Sequence, residues 1–142
     1  DCAKEEKLDA MQAVVKVAGL ILDQDMLASG ALLHGEAGAI LAKTRHGVDD
    51  PAICEAIRVH TVGKPHMSDL DKVIFLADYI EPNRDFPGVE TLRQKAREDL
   101  NQGVLAGYDM TIRHLLDKGL CIYEPTIVGR NALLKEIKSI NG

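Results

Sequence analysis

Residues 68–82, SDLDKVIFLADYIEP, hold a helix start, a helix body and a helix stop in one run. Ser68 with Asp71 three residues later has the form of a capping box, in which each side chain accepts from the other residue's backbone N–H. Pro82 has no amide hydrogen and cannot continue a helix, so the spacing predicts a helix ending at Ile80. Within it Leu70, Val73, Ile74 and Ala77 recur at helical spacing and read as the buried stripe. Asp78 comes four residues after Ile74, at the edge of that stripe, so its carboxylate is expected to point inward or into a cleft. A polar Glu-Pro-Asn-Arg-Asp loop, residues 81–85, follows at once.

The reading outward from this run is helical throughout. Leu8–Leu22 is periodic, with Met11, Val14, Val15, Ala18 and Leu22 on one side, and Gly30–Thr44 carries Leu32, Leu33 and Leu41. Asp50 suits an N-cap and Pro51 the first helical position, opening a helix to near Val62 that Gly63-Lys-Pro65 ends. Pro87 and Gly88 mark a turn. Val89–Lys118 reads as one long helix, with an interruption expected near Gly103–Gly107, and Gly119 stops it. Pro125 opens a last helix to Ile140. Strand alternation and hairpin turns are absent. The expectation is an all-α bundle of about six or seven helices in a single domain over 1–142.

Composition agrees. Hydrophobic residues make up 46% of the 142, but aromatics only 4%, with no Trp, so the core must come from Ala, Leu, Ile and Val in close-packed helices. The net charge of -5 lacks the basic footprint of a nucleic-acid binder. A phosphate ligand would then need local cations or a metal. Cys2, Cys54 and Cys121 show no zinc-type spacing, which fits a reduced, cytoplasmic protein with ordinary thiols. No apolar run approaches the length of a membrane span. Whether the chain forms a homodimer is left open.

Ionisable residues fall on the apolar faces of three helices. His60 continues the stripe Ile53, Ala56, Ile57; His34 shares a face with Gly38 and Leu41; Asp78 stands as described. A lone histidine on such a face is usually a core residue with one hydrogen bond, and a lone aspartate at a helix edge usually pairs with a nearby cation. Two imidazoles and a carboxylate together are also the ligand types that hold divalent first-row metals. Periodicity does not show that they converge. His46 at a helix end, His66 in a turn and His114 among charged residues fit structural or solvated roles.

The ordered motifs Asp1-Cys-Ala-Lys-Glu5, Leu32-Leu-His-Gly35, Ile57-Arg-Val-His-Thr-Val-Gly63, Leu76–Glu90 and Thr111-Ile-Arg113 resemble those of the YqeK-type HD-domain phosphohydrolases, the symmetrical bis(5'-nucleosyl)-tetraphosphatases. The resemblance runs along essentially the whole chain, and Leu76–Glu90 is its most specific part. It implies an HD-domain helical bundle that cleaves diadenosine tetraphosphate into two ADP. It implies a di-iron centre, for which manganese or another divalent ion can substitute. Asp1 would bridge two metals, His34 and His60 would ligate one, and Asp78 the other. Lys4 would contact phosphate, and Asp1, Lys4 and Asp78 form the implied catalytic set. The histidine that should precede Asp1, and an earlier family histidine, are not in the sequence. The resemblance is therefore to a family member lacking its N-terminal part.

For the substrate, Lys4 and Arg84 are the first candidates to hold phosphate charge, with Arg58 and Arg113 behind them. Arg84 could instead form a surface pair with Asp85. Asn83 and Asp85 could orient water or cap the turn, and Thr61 could donate to phosphate or end its helix. Two other functions compete: an HD phosphohydrolase acting on another nucleotide, and a helical binding or regulatory module that has lost catalysis.

Overall fold

In a computed structural model, residues 7–141 are described. Among them are eight helices: α1 Leu8–Val17, α2 Gln24–Leu27, α3 Gly30–His46, α4 Pro51–Val59, α5 Asp69–Ile80, α6 Val89–Glu98, α7 Leu100–Asp117 and α8 Glu124–Asn141. They form two compact units, one ending at Val62 and one running from Gly63. The all-α class expected from the sequence is what is found.

In the first unit α3 is the hub, packed against α1, α2 and α4. Met11 and Val15 of α1, Leu33, Ala37 and Leu41 of α3, and Ala56 and Val59 of α4 make its core. Small residues bring α4 close to α3. A Cβ built on Gly35 would lie 2.5 Å from the Arg58 carbonyl oxygen, so only glycine admits this crossing. Ser29 caps the start of α3, and Gly47, at φ 65°, ends it behind Lys43 and Arg45, whose charges suit the negative helix end.

The first helix is shorter than its periodicity suggests. Gly19, at φ 74°, takes the left-handed position after α1, with Gly19 N–H donating to Lys16 O and Leu20 N–H to Val15 O. That is a Schellman motif. Gly119 ends α7 in the same way, with Leu120 N–H donating to Leu115 O and Gly119 N–H to Leu116 O.

In the second unit α7 packs against α5, α6 and α8. The break in the long predicted helix falls at Asp99, and Gly103 and Gly107 lie inside α7. Asp99 is extended (φ -159°, ψ 126°), and its carboxylate accepts from Gln102 N–H at 2.9 Å. The glycines serve packing. A Cβ on Gly103 would meet Ala96 Cα and Leu76 Cδ2 at 2.9 Å, and one on Gly107 would touch Phe75.

The predicted capping box of α5 is present, with Asp71 N–H donating to Ser68 Oγ and Ser68 N–H to the Asp71 carboxylate. The predicted stripe is reversed. Leu70, Val73 and Ile74 are exposed, while Asp71, Lys72, Phe75 and Leu76 are buried. The run Val-Ile-Phe-Leu-Ala is apolar all round, so spacing alone cannot choose its inner face. Aromatic packing decides it. The Phe75 ring lies 4.8 Å from that of Tyr108 and 5.6 Å from that of Tyr79, and burying each such ring stabilises by about 1.5–3 kcal/mol. The charged pair that goes in with this face finds partners: Lys64 Nζ stands 3.7 Å from Asp71, and Lys72 Nζ 3.9 Å from Glu136.

Candidate active site

The first unit brings together His34, His60 and Thr61. His34 lies on α3, one residue before the Gly35 crossing, and His60 caps the C-terminal end of α4. The crossing therefore fixes their separation. The ring centroids are 5.0 Å apart, with the planes at 76°. His34 Nδ1 lies 3.2 Å from Gly30 O, and His60 Nδ1 bonds to Ile57 O. A carbonyl oxygen only accepts, so both Nδ1 atoms carry the proton and both Nε2 atoms are lone-pair donors in the neutral rings. The two Nε2 atoms meet at one hydroxyl: Thr61 Oγ1 is 2.9 Å from His34 Nε2 and 3.3 Å from His60 Nε2. This is how histidines are held when Nε2 is to bind a metal. His60 is buried, which excludes bulk water from its share of the site.

The second unit holds Asp78 at the last turn of α5, on the exposed side of the helix. The reversed stripe puts it there, so the carboxylate does not point inward to the core. Its side chain is 47% exposed and accepts from Arg84 Nη2 at 3.2 Å. Arg84 also approaches Glu81 at 3.6 Å. Arg84 thus pairs with Asp78 and Glu81, where the sequence suggested Asp85. The Asn83 backbone N–H donates to the Glu81 carboxylate at 3.0 Å, so the Glu81 side chain caps the turn, and both Asn83 and Asp85 are exposed.

No family model matches the chain. A protein of Halalkalibacterium halodurans named symmetrical bis(5'-nucleosyl)-tetraphosphatase is 43% identical over 139 residues, covering 97% of this chain and 73% of that protein. A Bacillus subtilis protein of the same name is 38% identical, over 94% of this chain and 72% of that one. A solved structure, described as a predicted HD superfamily hydrolase involved in NAD metabolism from Clostridium acetobutylicum, matches with a TM-score of 0.92 and 43% identity. That match covers 96% of this chain and 72% of the other. The chain belongs to the symmetrical bis(5'-nucleosyl)-tetraphosphatase family of HD hydrolases.

As a tetraphosphatase-family hydrolase it falls among proteins for which a divalent metal is implied. The donor set fits in part. His34 and His60 offer two oriented imidazole nitrogens, the borderline donors that first-row divalent ions favour. Among the described residues no group of three or more His, Cys, Asp or Glu is arranged to hold an ion. Asp1 and Lys4, the other expected members of the tetraphosphatase site, lie outside the described residues.

Two expected phosphate contacts look different in place. Arg58 gives Nε and Nη2 to Glu55 and Nη1 to Glu36 at 3.1 Å. The Glu55 bonds, then Glu36, hold its guanidinium above its already high ordinary range, against the cost of burial. It is a staple between α3 and α4 and would have to exchange these carboxylates to grip phosphate. Arg113 is exposed on α7. Three residues with roles here escape a reading for ligands: Gly35, Glu36 and Arg93. Arg93 of α6 donates to Ile80 O at 3.1 Å, and to Glu81 O and Arg84 O at 2.9 Å. Its only trace in the sequence is the Glu90–Arg93 spacing, which pairs the two on one helix face.

Proposed function

We propose that this chain is a metal-dependent phosphohydrolase that cleaves diadenosine tetraphosphate symmetrically into two ADP in the cytoplasm, with residues 1–142 acting as one HD-type domain. The observation that carries the reading is the His34–His60 pair, with both tautomers fixed and both Nε2 atoms turned to Thr61. Family membership supports the substrate class, since the relatives carry the tetraphosphatase name.

On this reading His34, His60 and Asp1 hold a divalent metal, and Asp78 holds a second, in a centre of di-iron type or with manganese. Such a centre supplies an acidified water and positive charge for the phosphoryl oxygens. The chain's own residues do the rest. The Gly30 and Ile57 carbonyls keep the imidazole protons on Nδ1. Thr61 gives its one hydroxyl hydrogen to His34 Nε2, the nearer ring nitrogen, beside His60 Nε2. Asp78 is a carboxylate already matched to a cation, since Arg84 neutralises it in the absence of other charge. Arg84 and Lys4 then bind the polyphosphate, Arg84 in the two-nitrogen fashion that suits phosphate oxygens. Asn83 and Asp85 order the loop that carries Arg84, and Arg58 and Arg113 assist through charge.

Product chromatography after incubation with diadenosine tetraphosphate and manganese or ferrous iron tests this. ADP alone is expected. ATP with AMP would refute the symmetrical cut, and no product with any divalent ion would favour a binding module. Asp78→Ala and His60→Ala should each abolish turnover and lower metal content; wild-type turnover in purified Asp78→Ala would remove Asp78 from the site. A second reading, hydrolysis of another nucleotide, draws on the Clostridium acetobutylicum structure being described as involved in NAD metabolism. A nucleotide panel in the same assay separates the two.

A further inference from the structure

We infer that Arg93 is a positioning residue for substrate binding: it shapes the 81–84 turn and so sets where Arg84 stands. The inference rests on the proposed role of Arg84 in holding phosphate.

A helix C-terminus leaves carbonyl oxygens without intrahelical donors, and Pro82 prevents α5 from continuing to cover them. Arg93 supplies the missing donors from a neighbouring helix. Its Nε donates to Ile80 O, the last residue of α5, and its Nη2 donates to both Glu81 O and Arg84 O. Its Nη1 is held by Glu90. The side chain is only 18% exposed, and its neighbour Leu92 is fully buried in the unit's core. A rigid planar group from a fixed helix thereby binds the carbonyls on either side of Pro82 and Asn83.

The turn has little else to define it. Arg84 N–H to Glu81 O at 3.0 Å and Asn83 N–H to the Glu81 carboxylate at 3.0 Å close it, and Pro82 and Asn83 are exposed. The Arg84 carbonyl is tied to Arg93, and from that fixed backbone the Arg84 guanidinium reaches Asp78 and Glu81. Lysine cannot replace this arrangement, because it offers one nitrogen where Arg93 uses several in fixed directions.

The test is a kinetic double-mutant cycle with diadenosine tetraphosphate, using Arg93→Lys, Arg84→Ala and the double variant. Thermal melting establishes that each is folded, and Arg93→Gln serves if Arg93→Lys is not. If Arg93 acts through Arg84, Arg93→Lys raises KM about tenfold in the wild-type background and changes kcat far less. In the Arg84→Ala background it adds almost nothing. Metal content stays at the wild-type level in all three. An equal rise in KM in both backgrounds, or an unchanged KM in folded Arg93→Lys, overturns the inference while leaving the proposed activity intact. A wild-type protein that does not turn over diadenosine tetraphosphate overturns the proposed activity, and this inference with it.

Discussion

The His34–His60 junction and the Asp78–Arg84 turn offer ligand-type side chains in opposite ways. At the junction, two helices cross at backbone contact, and each imidazole is locked by a carbonyl of its own helix. At the turn, a half-exposed carboxylate is matched by a mobile-length arginine, and the backbone beneath is held by another side chain. The first arrangement is fixed before any ligand arrives. The second is a charge pair whose arginine can be given up to phosphate at small cost, because exposed pairs contribute little. On the proposed function, rigid geometry stands where a metal would be held, and exchangeable charge where a polyanion would be received.

The hardest blow to the rigid side is Gly35→Ala. A Cβ 2.5 Å from the Arg58 carbonyl must push α3 from α4. We expect a loss of about 3 kcal/mol, the upper range for overpacking against backbone, in urea unfolding. Retained stability would show that the crossing is soft. Alkaline pH should strike the other side, since all three tyrosines, at 79, 108 and 123, lie beyond Gly63. Burial pushes the Tyr108 hydroxyl up from 10 to about 12, and Tyr79 upward as well. The folded state holds the Tyr108 proton more tightly, so its contribution is full below pH 10 and is lost as the pH rises toward 12. The wild type should lose roughly 2–3 kcal/mol across that window. Tyr108→Phe should lose less across the same window.

Smaller effects sharpen the contrast. Glu36→Gln removes one charge from the α3–α4 staple; with Arg58 40% exposed and still held by Glu55, about 1 kcal/mol is expected from the urea midpoint. Arg84→Ala should cost less than about 0.5 kcal/mol, while raising KM for diadenosine tetraphosphate. A stability loss as large as that of Glu36→Gln would mean that the turn is as structural as the junction.

Much of this was legible in the sequence where a local rule decides the outcome. Ser68, Asp50 and Gly119 act as read. Gly19 has the same chemistry as Gly119, yet the periodicity continuing to Leu22 masked it. The face of α5 was not legible, because five adjacent apolar residues satisfy either orientation and only the glycine-lined surface of α7 selects Phe75 and Leu76. His34 and His60 were found as single residues on apolar faces. Their convergence depends on Gly35, whose role is a distance between two backbones and leaves no periodic trace. Arg93 was invisible for a related reason: its partners are main-chain carbonyls, which every residue possesses.

The Tyr108 hydroxyl also governs which substitutions the chain can accept, and in what order. A Cβ on Gly63 would fall 1.9 Å from that oxygen, and one on Gly129 would fall 2.7 Å from it. Gly63 stays constrained in any case by its φ of 71°. At Gly129 the hydroxyl is the nearest obstacle, and the next atoms are Lys64 backbone C and N at 3.2 Å, a tight contact that stays after its removal. Gly129→Ala should therefore be more damaging in the wild type than after Tyr108→Phe, so that losing the tyrosine hydroxyl first eases an alanine at this position of α8.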